Sequence, residues 1–527
     1  MPAMVDHTTL QRRAGALAGA AVTLLFITAL RLGWMSDDAF ISFRASVNLA
    51  TGYGLMNNPG ERVQAFTNPL WTLLVAGAYA VFRDIYLVAI GLSLLCTLGA
   101  GLLLATRRNV GYAIALAPLL LALSGSFGAF STSGLENPLS HLLLAAFCVE
   151  RLRPVPSRLR TWLWAGLLAF NRLDHLLLVA PALGFEVFKA IRTKELRVRL
   201  VPALIGLSPL LLWLAWATFY YGFPFPNTAY AKLNLTLPRS TMIAQGCAYV
   251  VDSALRDPLV LSGIALGAVL AWRGRRRSPA AVWLAAGAVL YVAYTVYIGG
   301  DFMSGRFFTA PYLIGALLVA DEVAREGDAC VAAVAAAALF VGQATFAPLP
   351  TEVGTHCPVS GTGIVDERAC YVEHTGLVQN FVKKKYKTHG TYLVGNELLA
   401  TGGTIINNLV GMAAFRAGPT VKVLDEFALS DPLLARIQFD PSVGWRIGHF
   451  RRVPPAGYVE TLRKVSITCL VSLDRNRYSV PCELVGQVVS LRLYPAQIDI
   501  VAHDAVVASH PRSFTRQQTF YDWQHYI

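Results

Sequence analysis

The chain has 527 residues, of which 55% are hydrophobic and only 15% charged, with a formal net charge of +13. That is too little charge for a soluble protein of this size, and the apolar residues come in long blocks flanked by Arg and Lys. The basic excess falls between those blocks, so membrane topology accounts for it better than nucleic-acid binding does.

Arg12 and Arg13 precede a long apolar run with no small-residue cleavage site before Asp37. This run is predicted to be a retained first helix, not a signal peptide. Spans are predicted over roughly 14–34, 85–106, 110–127, 137–150, 161–172, 174–191, 200–219, 256–272, 279–298, 308–322 and 329–346, about eleven in all. The stretch "PLWTLLVAGAYAVF" (69–82) is short of the ~20 residues that cross a bilayer and is placed at the interface. With the N-terminus cytoplasmic, Arg107, Arg108 and the clusters "RLRPVPSRLR" (151–160), "KAIRTKELRVR" (189–199) and "RGRRR" (273–277) all fall inside. Counting 69–82 as a span would invert everything after it. The expectation is a multi-pass plasma-membrane protein with its C-terminal domain exoplasmic.

The opposite face then collects the loop 35–84, "STSGLENP", "NRLDH", "YYGFPFPNTAYAKL" and "GGDFMSGRFF". These loops carry the acidic residues Asp37, Asp38, Glu136, Asp174 and Asp301, and their basic residues include Arg44, Arg62, Arg172, Lys232 and Arg306. Carboxylates near bilayer depth are costly and tend to mark function. One can take a proton from an attacking hydroxyl, and a second can tune the first by repulsion. Cations can hold a phosphate leaving group, Arg by its planar fork and Lys as a point charge. The combination points to glycosyl transfer from a polyprenyl-phosphate sugar. Arg44, Lys232 and Arg306 are the candidate phosphate ligands. Asn68, Glu136, Arg172, Asp174, Asn227 and Asp301 are further site candidates.

Each residue also has a structural reading. Asp37 could cap a helix starting near Ala39. Glu136 could pair with an Arg at a helix end, Asp174 with Arg172, and Lys232 could snorkel. Shared sidedness favours the functional reading. His141 lies inside a span and is read as hydrogen-bonded, not ligating. No cofactor is required; Asp37 and Asp38 could hold a divalent cation, but two carboxylates do not demand one. There is no Walker loop and no dinucleotide fingerprint. A transporter or flippase is the alternative class, but it would place charge at the midplane and usually show repeats.

"DDAFISFRASVNLATGYGLMNNPGERVQAFTNPLW", "SGLENPL", "YYGFPFPNTAYAKL" and "GGDFMSGRFFTAPYL" resemble the GT-C glycosyltransferases, and among them the actinobacterial terminal arabinofuranosyltransferases, over roughly residues 10 to 463. The resemblance implies a polyprenyl-phosphate arabinofuranose donor, an arabinan acceptor, a membrane-lipid environment and catalysis by Asp37 or Asp38. One departure is "RLDH" (172–175), where the family pattern is Arg-Pro-Asp/Glu-Gly.

The predicted organisation is a polytopic α-helical GT-C domain over 1–346, a small exoplasmic α/β domain over 347–463 and a β-rich tail over 464–527. Cys357 and Cys370, thirteen positions apart, form a plausible disulfide if the segment is exported. "TVKVLDEFALSDPLLAR" reads as a strand followed by a helix capped near Ser430. Beyond 464 short alternating runs begin. "SLDRNRYSVP" and "VVSLRLYPAQIDIVAHDAVVASHPR" resemble the C-terminal β-barrel of insertion-sequence transposases. No acidic transposase core precedes them, so the tail is read as foreign, without a working nucleic-acid partner. An inactive, truncated transferase is therefore a second alternative.

Overall fold

The computed structural model describes residues 7–527 except 59, 107–110, 234, 347–356, 358, 378–379, 381–384, 456–458, 474, 495–496, 504, 514 and 516. Arg107, Arg108 and the expected domain boundary at 346/347 lie at or outside the edge of the described residues.

The chain opens with helix α1 (His7–Arg31), which is followed by α2 (Ala39–Ala50), α3 (Pro69–Phe82) and α4 (Ile85–Ala105). Pro69 opens α3, where its missing N–H costs nothing. The Asp84 carboxylate accepts the N–H groups of Tyr86 and Leu87 and starts α4 afresh. The segment expected at the interface and the expected span after it are therefore two separate helices. Then come α5 (Leu116–Leu123), α6 (Gly125–Ala129), α7 (Asn137–Arg151), α8 (Arg158–Asn171), α9 (Leu176–Arg192) and α10 (Leu196–Tyr221). Helices α8 and α10 cross at Gly166 and Gly206, where a Cβ on either would strike the other's backbone.

A short helix, α11 (Asn227–Leu233), leads to α12 (Arg239–Arg256) and α13 (Pro258–Arg273). These two are bent by 105° at Asp257 and Pro258. Proline cannot continue the hydrogen-bond ladder, and the buried Asp257 carboxylate instead accepts from Ser124 Oγ and the Ser126 N–H. The expected span 256–272 thus corresponds to α13, whereas α12 was not foreseen. Its polar composition hid it. The helical part closes with α14 (Pro279–Tyr297), α15 (Thr309–Glu326) and α16 (Asp328–Phe346).

Among the described residues, five helices are long and apolar enough to cross a membrane, or six if the bent α12–α13 pair is one span. Most of the remaining expected spans are shorter helices. The segment containing α15 is 89% buried and sits at the centre, whereas α10 is only 28% buried. Leu204, Leu212 and Phe219 on α10 face outward, as lipid-facing side chains do.

After the membrane part, α17 (Glu367–Thr375) is tied to the preceding loop by the Cys357–Cys370 disulfide. Helix α18 (Gly390–Thr401), strand β1 (Gly403–Asn407), helix α19 (Met412–Ala417) and strand β2 (Val421–Asp425) form a small α/β layer in which β1 and β2 pair in parallel. The helix expected after β2, with a cap near Ser430, is only a 3-10 turn, Leu434–Arg436; just ahead of it the Asp431 carboxylate accepts the N–H groups of Leu433 and Leu434. The reason is Asp425, whose carboxylate takes the N–H groups of Phe427, Leu429 and Ser430 and holds the chain in a loop.

The tail contains β3 (Val459–Lys464), β4 (Leu470–Leu473), β5 (Asn476–Ser479), β6 (Val488–Leu493), β7 (Gln497–Ala502), β8 (Ala505–Pro511) and β9 (Thr519–Phe520). They make a four-stranded sheet ordered β3-β6-β7-β8 and a three-stranded one ordered β4-β5-β9. Neither sheet includes β1 or β2. The first tail strand begins ahead of 464, and the tail core (Val471, Tyr478, Leu491, Ile500) is continuous with Leu424, Ala428, Leu434 and Ala435 of the α/β layer.

Candidate active site

Asp37 and Asp38 stand between α1 and α2. Asp38 occupies the position before α2 but makes no side-chain bond to it. Asp37 does not cap α2 either; its Oδ1 accepts the N–H of Met412, at the start of α19, at 2.9 Å. The capping reading is therefore set aside for both residues.

Both aspartates line a cavity of about 490 Å³. Its floor is the end of the helical part, with Lys232 and Phe302. Its roof is the α/β layer, with Asn408, Phe427, Arg446, His449 and Arg451, and Glu367 and Tyr371 close one side. Burial pushes Asp37 up to about 7, against the Met412 N–H and with help from the Asp38 charge. Burial also raises Asp38, opposed by the positive charges of Arg306 and Lys232. Arg446 donates to His449 Nε2 at 2.9 Å and packs over the Phe302 ring. Burial, and then the neighbouring Arg446, push His449 down to about 3, so it is a neutral acceptor at pH 7.

Beneath the cavity lies an ion network centred on Glu136, which is 1% exposed. Its Oε1 accepts from Arg172 and from Arg306, the latter at 3.0 Å, and its Oε2 from Asn68 Nδ2 at 2.9 Å. Burial alone would raise Glu136, but Arg306 and Arg172 hold it far below the usual carboxylate range. Arg306 reaches Asp301 at 3.5 Å. Arg172 binds Asp174 Oδ1 at 2.8 Å, and Tyr291 donates to Asp174 Oδ2 at 2.9 Å. The residues of "RLDH" thus form a 3-10 turn, Leu173–His175, with Arg172 and Asp174 ion-paired. Glu136, Arg172, Asp174, Asn68 and Asp301 do not line the cavity; they set the charge beneath it.

Two candidates belong elsewhere. Arg44 is buried on α2, and its Nη2 donates to the carbonyls of Gly418 and Val421 at 3.1 and 2.6 Å. It fastens α2 to the start of β2 and does not line the cavity, so the geometry gives it a docking role in place of a phosphate contact. Asn227 likewise holds the roof, donating to the carbonyls of Ala428 and Asp431. Of the expected phosphate ligands only Lys232 lines the cavity, while Arg306 acts on Asp38 from below.

Sequence reading missed Glu367, Tyr371, Arg446 and His449. The only hint was the cysteine pair that brackets Glu367. Among the described residues no group of three or more His, Cys, Asp or Glu side chains is arranged to hold a metal ion.

The chain is similar to a terminal β-(1→2)-arabinofuranosyltransferase of Mycobacterium tuberculosis, 29% identical over 524 aligned positions that cover 80% of this chain and 81% of that one. Its end is a different matter. The family "Mu transposase, C-terminal domain" matches residues 451–522. Two parts of the sequence thus resemble two different kinds of protein. A transposase of Aminobacter aminovorans is 46% identical over 79 residues, 14% of this chain and 16% of that protein. The chain therefore spans a small fraction of the transposases it matches. Among solved structures, ArnT from Cupriavidus metallidurans bound to undecaprenyl phosphate covers 79% of this chain, with 86% of ArnT covered, at 17% identity and a TM-score of 0.48. Glycosyltransferase, the class implied by the sequence motifs, is the class of the arabinofuranosyltransferase relative. The transposase match starts at Arg451, ahead of the change of character at 464. The first residues of that match lie beside the cavity: Arg451 lines it and pairs with Glu426, and the 1%-exposed Arg452 donates to the carbonyls of Ile437 and Ala231.

Proposed function

We propose that this chain is a membrane glycosyltransferase that moves a pentofuranosyl unit, arabinofuranosyl by its sequence relatives, from a polyprenyl-phosphate donor to an arabinan or related glycan on the exoplasmic face. The reading is carried by one observation. Asp37 and Asp38 share a roofed cavity with the cations Lys232, Arg446 and Arg451. In the proposed reaction the acceptor hydroxyl oxygen bonds to the anomeric carbon while the bond to the phosphate oxygen breaks. The phosphate keeps the electron pair, with Lys232 and Arg446 placed to stabilise it. The hydroxyl proton passes to an aspartate. Asp37, held near neutrality, suits that exchange, because a base works best with a pKa near the operating pH.

The proposed topology has about eleven crossings, with the basic clusters cytoplasmic and the cavity exoplasmic. A disulfide between Cys357 and Cys370 supports the sidedness, since such bonds persist in oxidising compartments. Within this reading 1–346 is the catalytic membrane domain, 347–463 the roof, and the remainder a foreign β module. Tags after residues 155, 195 and 275 should report cytoplasmic and a tag near 300 or 400 exoplasmic; the reverse pattern would overturn the site. The chemistry is tested by incubating purified protein with a synthetic polyprenyl-phosphoarabinofuranose and an arabinofuranosyl oligosaccharide. Formation of the extended oligosaccharide supports the proposal.

A second reading, an inactive transferase, has one observation in its favour. The cavity wall includes Arg451, the first residue of the transposase-type match. Absence of product with an intact, folded protein would select it.

A further inference from the structure

Glu367 stands out among the groups that the proposed reaction leaves unused. It opens α17 and is 6% exposed. It lines the same cavity as Asp37 and Asp38. Its Oε1 accepts from Ser36 Oγ at 3.1 Å, and its Oε2 has no hydrogen-bond partner among the described residues. The same Ser36 hydroxyl accepts the N–H of Asp38 at 3.2 Å, so one serine links this carboxyl to the aspartate loop. The helix is held at several points. Cys370 is bonded to Cys357, Arg368 Nε donates to the Leu32 carbonyl, and Thr375 Oγ1 accepts the N–H of Met35. A buried carboxyl with one oxygen unsatisfied is unfavourable unless a visiting group completes it.

We infer that Glu367 is an acceptor-binding residue, whose carboxyl is held by Ser36 at one oxygen and donates from the other to a hydroxyl of the acceptor sugar, turning the neighbouring hydroxyl toward the aspartates. The protonation state agrees with this geometry. Burial, and then the charges of Asp38 and Asp37, push Glu367 well above the usual carboxylate range, which favours the neutral form that can donate an O–H. A polyhydroxylated furanoside offers hydroxyl oxygens that such a donor can bind. The inference rests on the glycosyl transfer proposed above.

The test compares Glu367→Ala, Glu367→Met and Glu367→Gln with the wild type. Kinetics with synthetic donor and acceptor are read beside donor-free calorimetric binding of an arabinofuranosyl oligosaccharide. Loss of the donor group in Ala should raise the acceptor KM about tenfold with the donor KM unchanged, and weaken oligosaccharide binding by about as much. Met replaces Ala if the smaller side chain fails to fold. Gln, a neutral donor of nearly the same shape, should restore acceptor KM and binding to within about threefold of wild type. Unchanged acceptor KM and binding in Ala or Met would overturn the inference, as would a Gln variant as impaired as Asp37→Asn. Failure of the parent reaction looks different. Wild type then binds the oligosaccharide but transfers nothing, and weaker binding by Ala still supports Glu367. Wild type that binds no oligosaccharide overturns the inference as well.

Discussion

Asp37 accepts the backbone N–H of Met412 at 2.9 Å, across 375 residues of sequence. The approach is so close that a Cβ on the adjoining Gly411 would collide with the Asp37 carboxylate and carbonyl. The roof thus rests directly on the proposed base. Gly411→Ala should push α19 off the loop, cut turnover at least about tenfold, and cost about 1–3 kcal/mol of stability, as overpacking does. Turnover and melting temperature measured together check this. Wild-type turnover in that variant would mean that the contact does not position Asp37.

Replacing the aspartates tests the chemistry itself. Asp37→Asn removes a proton acceptor while keeping size and most hydrogen-bonding capacity. Turnover should fall by roughly 10²–10⁴, the usual range for lost general-base help, with expression preserved. Asp38→Asn should also be impaired, because Asp38 carries a charge that Arg306 and Lys232 act on. Near wild-type rates in both variants would remove the pair from the mechanism.

The pH dependence has a definite sign. Asp37 is raised from 3.8 to about 7. Its neutral form is the one that the fold prefers, so its contribution to stability is full below the unfolded pKa and is lost as pH rises through about 7. Melting temperature should therefore fall between about pH 4 and pH 7, and Asp37→Asn should flatten that slope. Turnover should run the other way, rising with the ionised base. A turnover profile flat across neutrality in the wild type would argue against Asp37 as the proton acceptor.

Lys232 and Arg44 should separate cleanly. Lys232→Ala removes a cation from the cavity and should raise the donor KM by roughly 10- to 100-fold, the scale of a charge-assisted phosphate contact. Arg44→Ala should leave the donor KM unchanged but cost about 2–3 kcal/mol, since two backbone carbonyls lose a charged donor. Arg306→Ala is a poor probe of donor binding. It breaks a buried pair with Glu136, which typically costs about 3–5 kcal/mol by itself.

The tail offers its own reporter. Cys469 Sγ and Cys482 Sγ lie 2.6 Å apart as thiols. If the tail is exoplasmic, the two thiols should pass two protons and two electrons to a disulfide-bearing oxidant of that compartment and become linked. Alkylation of denatured protein, with and without prior reduction, reads the result by mass. Thiols that label without reduction would place the tail in the cytoplasm. Truncation after residue 455 should expose Leu424, Ala428, Leu434 and Ala435, lower stability and promote aggregation. Donor affinity in the folded fraction should persist, because the truncated chain keeps Lys232, Arg446 and Arg451.

The sequence alone determined the apolar helices, the two aspartates at the mouth of the first one, the short apolar helix at 69–82 and the change to short strands near the end. These features are written in hydropathy, charge and turn residues over windows of ten to thirty positions, and neighbouring residues suffice to read them. Tertiary structure decided which charges face the cavity and which are spent on one another. Arg44, Arg306 and Lys232 look alike in sequence, yet one docks a strand, one neutralises Glu136 and one faces the open space. The polar helix α12 and the residues Arg446 and His449 gave no local signal either, and Glu367 only the cysteine pair around it, because their roles depend on partners brought together from distant parts of the chain. A charged side chain takes its function from what lies within a few ångströms of it, and that is fixed only when the roof closes over the aspartate loop.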